Sequence, residues 1–353
     1  MRRLPALPCQ RRGKVIMNIW SVAASLLAIV LCCEAASSPA LGNDSSAELA
    51  IGGLTFTKNA DISIESEELR IALDAISVRY VFLNRSPKPI TLTVAFPLPD
   101  INLSDASNAA FPVGNPLNYV GFSTRIDGKP VAFAISQQAV LNDKNVTAAL
   151  KEMGIPVFPV GAEQLKINDL PEEVRTRAVA QGLLVESGTN DKGVPLYEAT
   201  WTVKTSVVRH QSFPPGKPVI VEHRYRTSVG MSFDSILRQD MRDKKGLLPE
   251  VQRYKNAYCV DDDFLKAVDA LKTADKPGKP RIIERRINYV LTTGANWAGP
   301  IKDFHLVVDK GRPDRIVSFC GQGKTEISPT QAEVRATDFT PTRDLEVLIL
   351  GPN

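Results

Sequence analysis

A two-residue alternation of apolar and polar side chains runs through much of this chain, and it restricts the fold to sheets with one buried face. Ile76, Val78, Tyr80 and Phe82 fall on one side of an extended segment while Ser77 and Arg79 fall on the other, because successive side chains of a strand point to opposite faces. Past the turn signal Asn84-Arg85-Ser86-Pro87, Ile90, Leu92, Val94 and Phe96 alternate with Thr91 and Thr93, again a half-buried strand. Asp127-Gly128, between Tyr119–Ile126 and Pro130–Ile135, predicts a tight hairpin turn. Strand patterns resume over Tyr197–Val208 and Val219–Arg226, and again at Ile282–Thr292, Asp303–Asp309, Arg315–Cys320, Gln331–Thr337 and Leu345–Leu350.

Two stretches change period. Val146, Leu150 and Met153 recur at helical spacing before Gly154 and Pro156, and a second helix is expected after Pro171, with Glu172 and Glu173 near its positive end. Residues 137–195 therefore read as a small helical insertion. Further on, Asp261 is placed as an N-cap, with Phe264, Val268 and Leu271 on one face, and Lys276-Pro277-Gly278-Lys279-Pro280 stops that helix. The expectation is a mainly β protein of two β-sandwich-like domains. The first spans 43–235 and carries the insertion. A polar linker, centred on Asp240-Met241-Arg242-Asp243-Lys244-Lys245-Gly246, covers 236–256, and a smaller β domain with one short helix covers 257–353.

The first 42 residues follow a different logic. Arg2, Arg3, Arg11, Arg12 and Lys14 precede an uncharged run from Ile19 to Cys33, and the small residues Ala35, Ala36, Ser37 and Ser38 follow it. That order is a secretion signal. The apolar run is shorter than the roughly 20 residues that a permanent span needs, so no membrane span is expected after cleavage. Cleavage is expected after Ala40-Leu41-Gly42, with Ala36 as the alternative, so the mature chain would begin at Asn43 and reside in the periplasm or be secreted. Removing residues 1–42 leaves 38 basic and 38 acidic residues, and that balance points away from nucleic acid as a partner. Only Cys259 and Cys320 remain, and in an oxidising compartment two cysteines suggest one disulfide.

Familiar chemistries find little support in the residues. Gly321-Gln322-Gly323-Lys324-Thr325 ends like a phosphate-binding loop, but Ser318 stands where the full pattern needs glycine and Pro329 interrupts any following helix. It reads as a turn between strands. His210, His223 and His305 lack the spacing of a helical zinc motif, and His223 shares its strand face with Val219, Val221 and Tyr225, which places it in the core. Asp261-Asp262-Asp263 lacks the alternation and glycine of a calcium loop, and a helix start explains it better. There is no Gly-x-Ser-x-Gly elbow. No cofactor or metal is expected. The feature singled out for recognition is the loop Gly294–Pro300, where Trp297, with Asn296 beside it, either stacks on a ligand or folds inward as a plug over the C-terminal sandwich.

Four strings together resemble a known family. They are Asn43-Asp44-Ser45-Ser46-Ala47-Glu48-Leu49, Val94-Ala95-Phe96-Pro97-Leu98-Pro99-Asp100-Ile101, Thr293-Gly294-Ala295-Asn296-Trp297-Ala298-Gly299-Pro300 and Asp338-Phe339-Thr340-Pro341. The chain resembles the bacterial exported family catalogued as domain of unknown function 4424, over nearly all of the mature length. The resemblance implies export and carries no activity or site residues with it. The functional expectation is a non-enzymatic envelope protein that binds an unknown protein or envelope polymer. The alternative is an exported hydrolase with a carboxylate-based or metal-assisted site between the sheet domain and its insertion.

Overall fold

The period-two segments do form strands, and they assemble around one large sheet. A computed structural model describes residues 43–50, 53–104, 109–271 and 282–352; the expected secretion signal and the Lys276–Pro280 break lie outside them. The large sheet has eight strands in the spatial order Thr325–Ser328, Gln331–Phe339, Ile301–Asp309, Ile62–Ala72, Ala75–Asn84, Pro218–Arg226, Ser123–Ile126 and Lys129–Pro130. All neighbours are antiparallel except Ile301–Asp309, which runs parallel to Ile62–Ala72 with Asp303 opposite Ser66.

Two smaller sheets contribute to the same buried core. A seven-stranded sheet contains Ser45–Ala50, Gly53–Thr57, Ile90–Pro97, Ala134–Leu141 and Thr202–Phe213. A five-stranded sheet contains Val229–Phe233, Ile283–Tyr289, Ile316–Phe319 and Leu345–Gly351. Phe82 of the large sheet meets Phe213 at 5.8 Å between ring centres, and the Tyr80 hydroxyl meets that of Tyr289 at 3.1 Å. The smaller sheets touch each other where Phe96 packs edge-on to Tyr289.

The mainly β architecture with several sheets is thus as expected, but the boundary at 236–256 is not a linker. Because strand 301–309 completes a sheet begun by strand 62–72, the described residues fall into one compact unit. Residues 236–256 are largely helical, with Gln239–Arg242 and Leu248–Tyr258. Val251, Tyr254 and Tyr258, at helical spacing, are buried against Leu348 and Leu350 of the five-stranded sheet. The last strand is therefore covered on both faces: Val347 and Ile349 look into the main core while Leu348 and Leu350 look toward these helices, which is why Leu345–Leu350 lacks a clean polar face.

Smaller expectations also resolve. The 137–195 region holds helices at Thr147–Glu152, Ala162–Asn168 and Glu172–Ala180, but its first residues belong to strand Ala134–Leu141 and its end to a separate hairpin, Leu184–Thr189 with Pro195–Ala199. Asp127 and Gly128 adopt φ of +48° and +75°, the left-handed geometry of the tight hairpin turn. Asp261 caps helix Asp262–Ala270 by accepting from the Phe264 amide at 2.7 Å. No described helix is long and apolar enough to cross a membrane.

Candidate functional site

The core contains a sealed polar chamber where the three sheets meet. A β-bulge between Ile64 and Ser66 inserts an extra residue, which reverses the phase of the strand. Ile62 and Ile64 face the core before the bulge; after it Glu67 faces the core together with Leu69 and Ile71. Arg209 occupies the inward phase of its strand alongside Val203 and Val207. His223 is buried as its strand pattern predicted. Into this chamber run Asn43 and Asp44, both fully buried.

Asp44 receives Arg209 through both carboxylate oxygens, at 3.1 and 2.6 Å, and His223 Nε2 at 3.1 Å. Burial opposes the charge of Asp44, but Arg209 and His223 outweigh it and hold the carboxyl well below the usual range. Burial, with Arg209 adding to it, lowers the His223 pKa against the pull of Asp44, so the ring is neutral and donates its Nε2 proton. Glu67 is different: burial pushes it up to about 8, against the Asn43 hydrogen bond, and Asp44 adds to the rise. Its Oε1 has no hydrogen-bond partner among the described residues.

The loop singled out from sequence closes this chamber. Trp297 is 4% exposed; it packs on Phe82 at 4.9 Å and Phe213 at 6.1 Å, and its Nε1 donates to the Asp44 carbonyl at 2.6 Å. The ring plugs the space between the large and seven-stranded sheets, and not the C-terminal sandwich. Asn296 is half-buried and donates to Ser45 Oγ at 2.9 Å. Both residues are thus engaged with the segment Asp44–Ser45 of the same chain.

Among the described residues no group of three His, Cys, Asp or Glu side chains is placed to hold a metal ion. His210 pairs with Thr93 and His305 with Glu333. The cleft between sheet and helical insertion, about 290 Å³, has Glu198 as its one carboxylate among the described residues, so no pair of convergent carboxylates stands there. A concavity of about 560 Å³ lies on the outer face of the large sheet. Across it Arg335, His305, Glu68, Arg79, Glu222 and Arg125 stand opposite one another strand by strand. Apart from His305, that row alternates in charge and explains itself as cross-strand pairing on a solvated face.

Another cavity is of a different kind. It holds about 700 Å³ between the C-terminal strands of the large sheet and the edge of the five-stranded sheet. Its walls include Phe304, Leu306, Phe319, Val334 and Phe339, and Phe304 stacks on Phe339 at 4.4 Å. The Cys259–Cys320 disulfide forms one border, with Cα atoms 5.0 Å apart. Asp344 accepts the Leu291 and Thr292 amides and the Thr292 hydroxyl, and Asp261 is occupied by its helix cap. Arg343 donates to the Asn256 and Ala257 carbonyls. Lys324 lies 5.3 Å from the Phe319 ring centre and has no carboxylate at ion-pair distance among the described residues. The Gly321–Thr325 segment is a turn, with Gly323 at φ +67°, and it presents Lys324 to this cavity. No local motif announces the pocket, because its aromatic walls come from three separate strands of two sheets.

A family model described as "Domain of unknown function (DUF4424)" matches residues 42–348. The chain belongs to that family. The match takes in both the Asn43–Leu49 segment and the Trp297 loop that closes over it. No curated protein matches the chain. Among solved structures it is similar to a "putative nutrient binding protein" from Legionella pneumophila, at 14% identity, covering 88% of this chain and 71% of that one with a TM-score of 0.42. It is also similar to an M1 zinc metallopeptidase from Deinococcus radiodurans, at 8% identity, covering 84% and 44% with a TM-score of 0.25. These likenesses are too distant to carry an argument about function.

Proposed function

We propose that this family member is an exported, periplasmic, non-enzymatic binding protein that takes small apolar anions into the pocket beside the Cys259–Cys320 disulfide. The observation that carries the reading is the mismatch between the pocket's walls and its rim. The walls are aromatic and aliphatic, within the roughly 300–1,000 Å³ usual for small-molecule sites. At the rim the carboxylates are already committed to backbone donors, whereas Lys324 lacks an acidic partner. An apolar body with one negative group satisfies both halves.

The test is displacement of anilinonaphthalene sulfonate, itself an apolar anion, from the mature protein by decanoate and by decylamine. Decanoate should displace the probe and decylamine should not, and Lys324→Glu should weaken probe binding by about tenfold, the equivalent of roughly 1.4 kcal/mol. Absence of probe binding, or equal displacement by acid and amine, overturns the reading. Fractionation of the producing cells tests export separately, by the presence of the protein in the periplasmic extract.

A further inference from the structure

The chamber around Asn43 accounts for every polar atom of that residue. Its Nδ2 donates to Glu67 Oε2 at 3.1 Å and to the Leu291 carbonyl at 3.2 Å; its Oδ1 accepts from the Tyr80 and Tyr289 hydroxyls at 2.5 and 2.8 Å. Thr293 Oγ1 donates to the Asn43 carbonyl and accepts from the Asn43 backbone nitrogen. Space for this is made by Gly294, where a Cβ would lie 2.8 Å from Asn43 Nδ2. The loop from Leu291 to Trp297 is thus a receptor for residues 43–45 of its own chain.

The charges in the chamber do not balance. Asp44 is matched by Arg209; His223 is neutral; Tyr80 and Tyr289 keep their protons because burial raises both. Glu67 alone has no cation. A buried carboxylate without a partner neutralises itself by holding its proton, and Glu67 does so as long as the nitrogen of residue 43 is an amide, uncharged and with a single hydrogen.

We propose that a leader peptidase hydrolyses the Gly42–Asn43 bond and that the new α-ammonium of Asn43 remains inside the chamber as the ion-pair partner of Glu67. Water adds across the amide, leaving a carboxylate on Gly42 and an amine on Asn43. The protonated amine has three hydrogens where the amide had one. Thr293 takes one, and the other two are available to the Glu67 carboxylate that Asn43's own side chain already touches. Asp44 and Glu67 are then balanced by Arg209 and the terminus. The inference rests on export with removal of the leader, and it adds that the native state is completed by that cut.

The exported protein, purified with its own leader processed in the cell, is measured by intact mass and treated with 2-pyridinecarboxaldehyde, which modifies free α-amines. The expected result is a chain starting at Asn43 whose amine is refractory when folded and reacts in urea. A different start overturns the cleavage site, and a folded amine that reacts as fast as the unfolded one overturns the pairing. Glu67→Gln is then compared in the processed protein and in a chain that retains Gly42 behind an initiating Met. Breaking a buried pair should lower the folding constant of the processed protein by more than about a hundredfold, while in the extended chain at pH 7, where Glu67 must take up a proton on folding, the same change should raise it. Equal effects overturn the ion pair.

A pH readout needs no variant. In the extended chain, folded Glu67 keeps its proton up to about pH 8 while the unfolded group, at 4.5, has lost it. The folding constant should therefore fall about tenfold per unit between pH 5 and 7. The processed chain should lack that slope. His210, His223 and His305 are common to both chains, so their titration cancels in the difference. Identical slopes count against the proposal.

Discussion

Replacing Trp297 by alanine tests the closure of the core most directly. The indole is 4% exposed and sits between Phe82 and Phe213, which belong to two different sheets. Truncations of this size cost about 3–5 kcal/mol. Losing the Nε1 donor also strands the buried Asp44 carbonyl, worth about 1–3 kcal/mol more. An unfolding entropy of about 2.1 cal/mol/K per residue over the 311 residues of Asn43–Asn353 gives roughly 0.65 kcal/mol/K. A loss of about 4 kcal/mol therefore corresponds to a fall of about 6 °C in Tm. Trp297→Phe retains most of the packing and removes only the donor, so it should lose about 1–3 kcal/mol. Calorimetry and urea titration of the three proteins give both differences. A Trp297→Ala protein within about 0.5 kcal/mol of the parent, the range of surface positions, would refute the plug.

Asp44→Asn should cost about 3–5 kcal/mol, because Arg209 remains buried with no opposing charge; denaturant titration checks it, and a loss below 1 kcal/mol counts against the pair. The parent should lose the Asp44 contribution only in acid: the folded pKa is depressed, so the stabilisation is present above the unfolded value of about 3.9 and disappears as pH falls below it, a slope that Asp44→Asn should remove. Replacing both Cys259 and Cys320 by serine opens a loop of 61 residues and should cost about 4 kcal/mol in the chain-entropy model, measured as the midpoint shift relative to the oxidised parent.

Much of the sheet structure was legible because its signal is local. Ile76, Val78, Tyr80 and Phe82, and likewise Val94 and Phe96, recur every second residue and are buried where the period put them; the Asp127-Gly128 turn and the Asp261 cap depend on neighbours within a few positions. Glu67 was not legible, since one bulge residue reverses the phase and a glutamate after it reads as exposed. Nor was the division at 236–256, where lysines and aspartates suggested solvent while Val251 and Tyr254 were making a helical face that packs in one buried cluster with Leu237. The chamber was half visible: His223 and Arg209 follow the inward phase of their strands, and the glycine-flanked tryptophan marked the loop. That Asn43 and Asp44 are what the loop holds follows only from contacts across about 250 positions.

The parallel pairing of Ile62–Ala72 with Ile301–Asp309 also orders events in time. A ribosome releases the first strand some 237 residues before its neighbour, and until then one edge of that strand offers open backbone donors and acceptors, which invite association with other chains. Contacts of such range slow folding. On the proposed export route, where a chain is threaded through a membrane before it folds, that delay is a gain: the sheet cannot close until the far end arrives, and holding chaperones have an exposed edge to cover in the meantime.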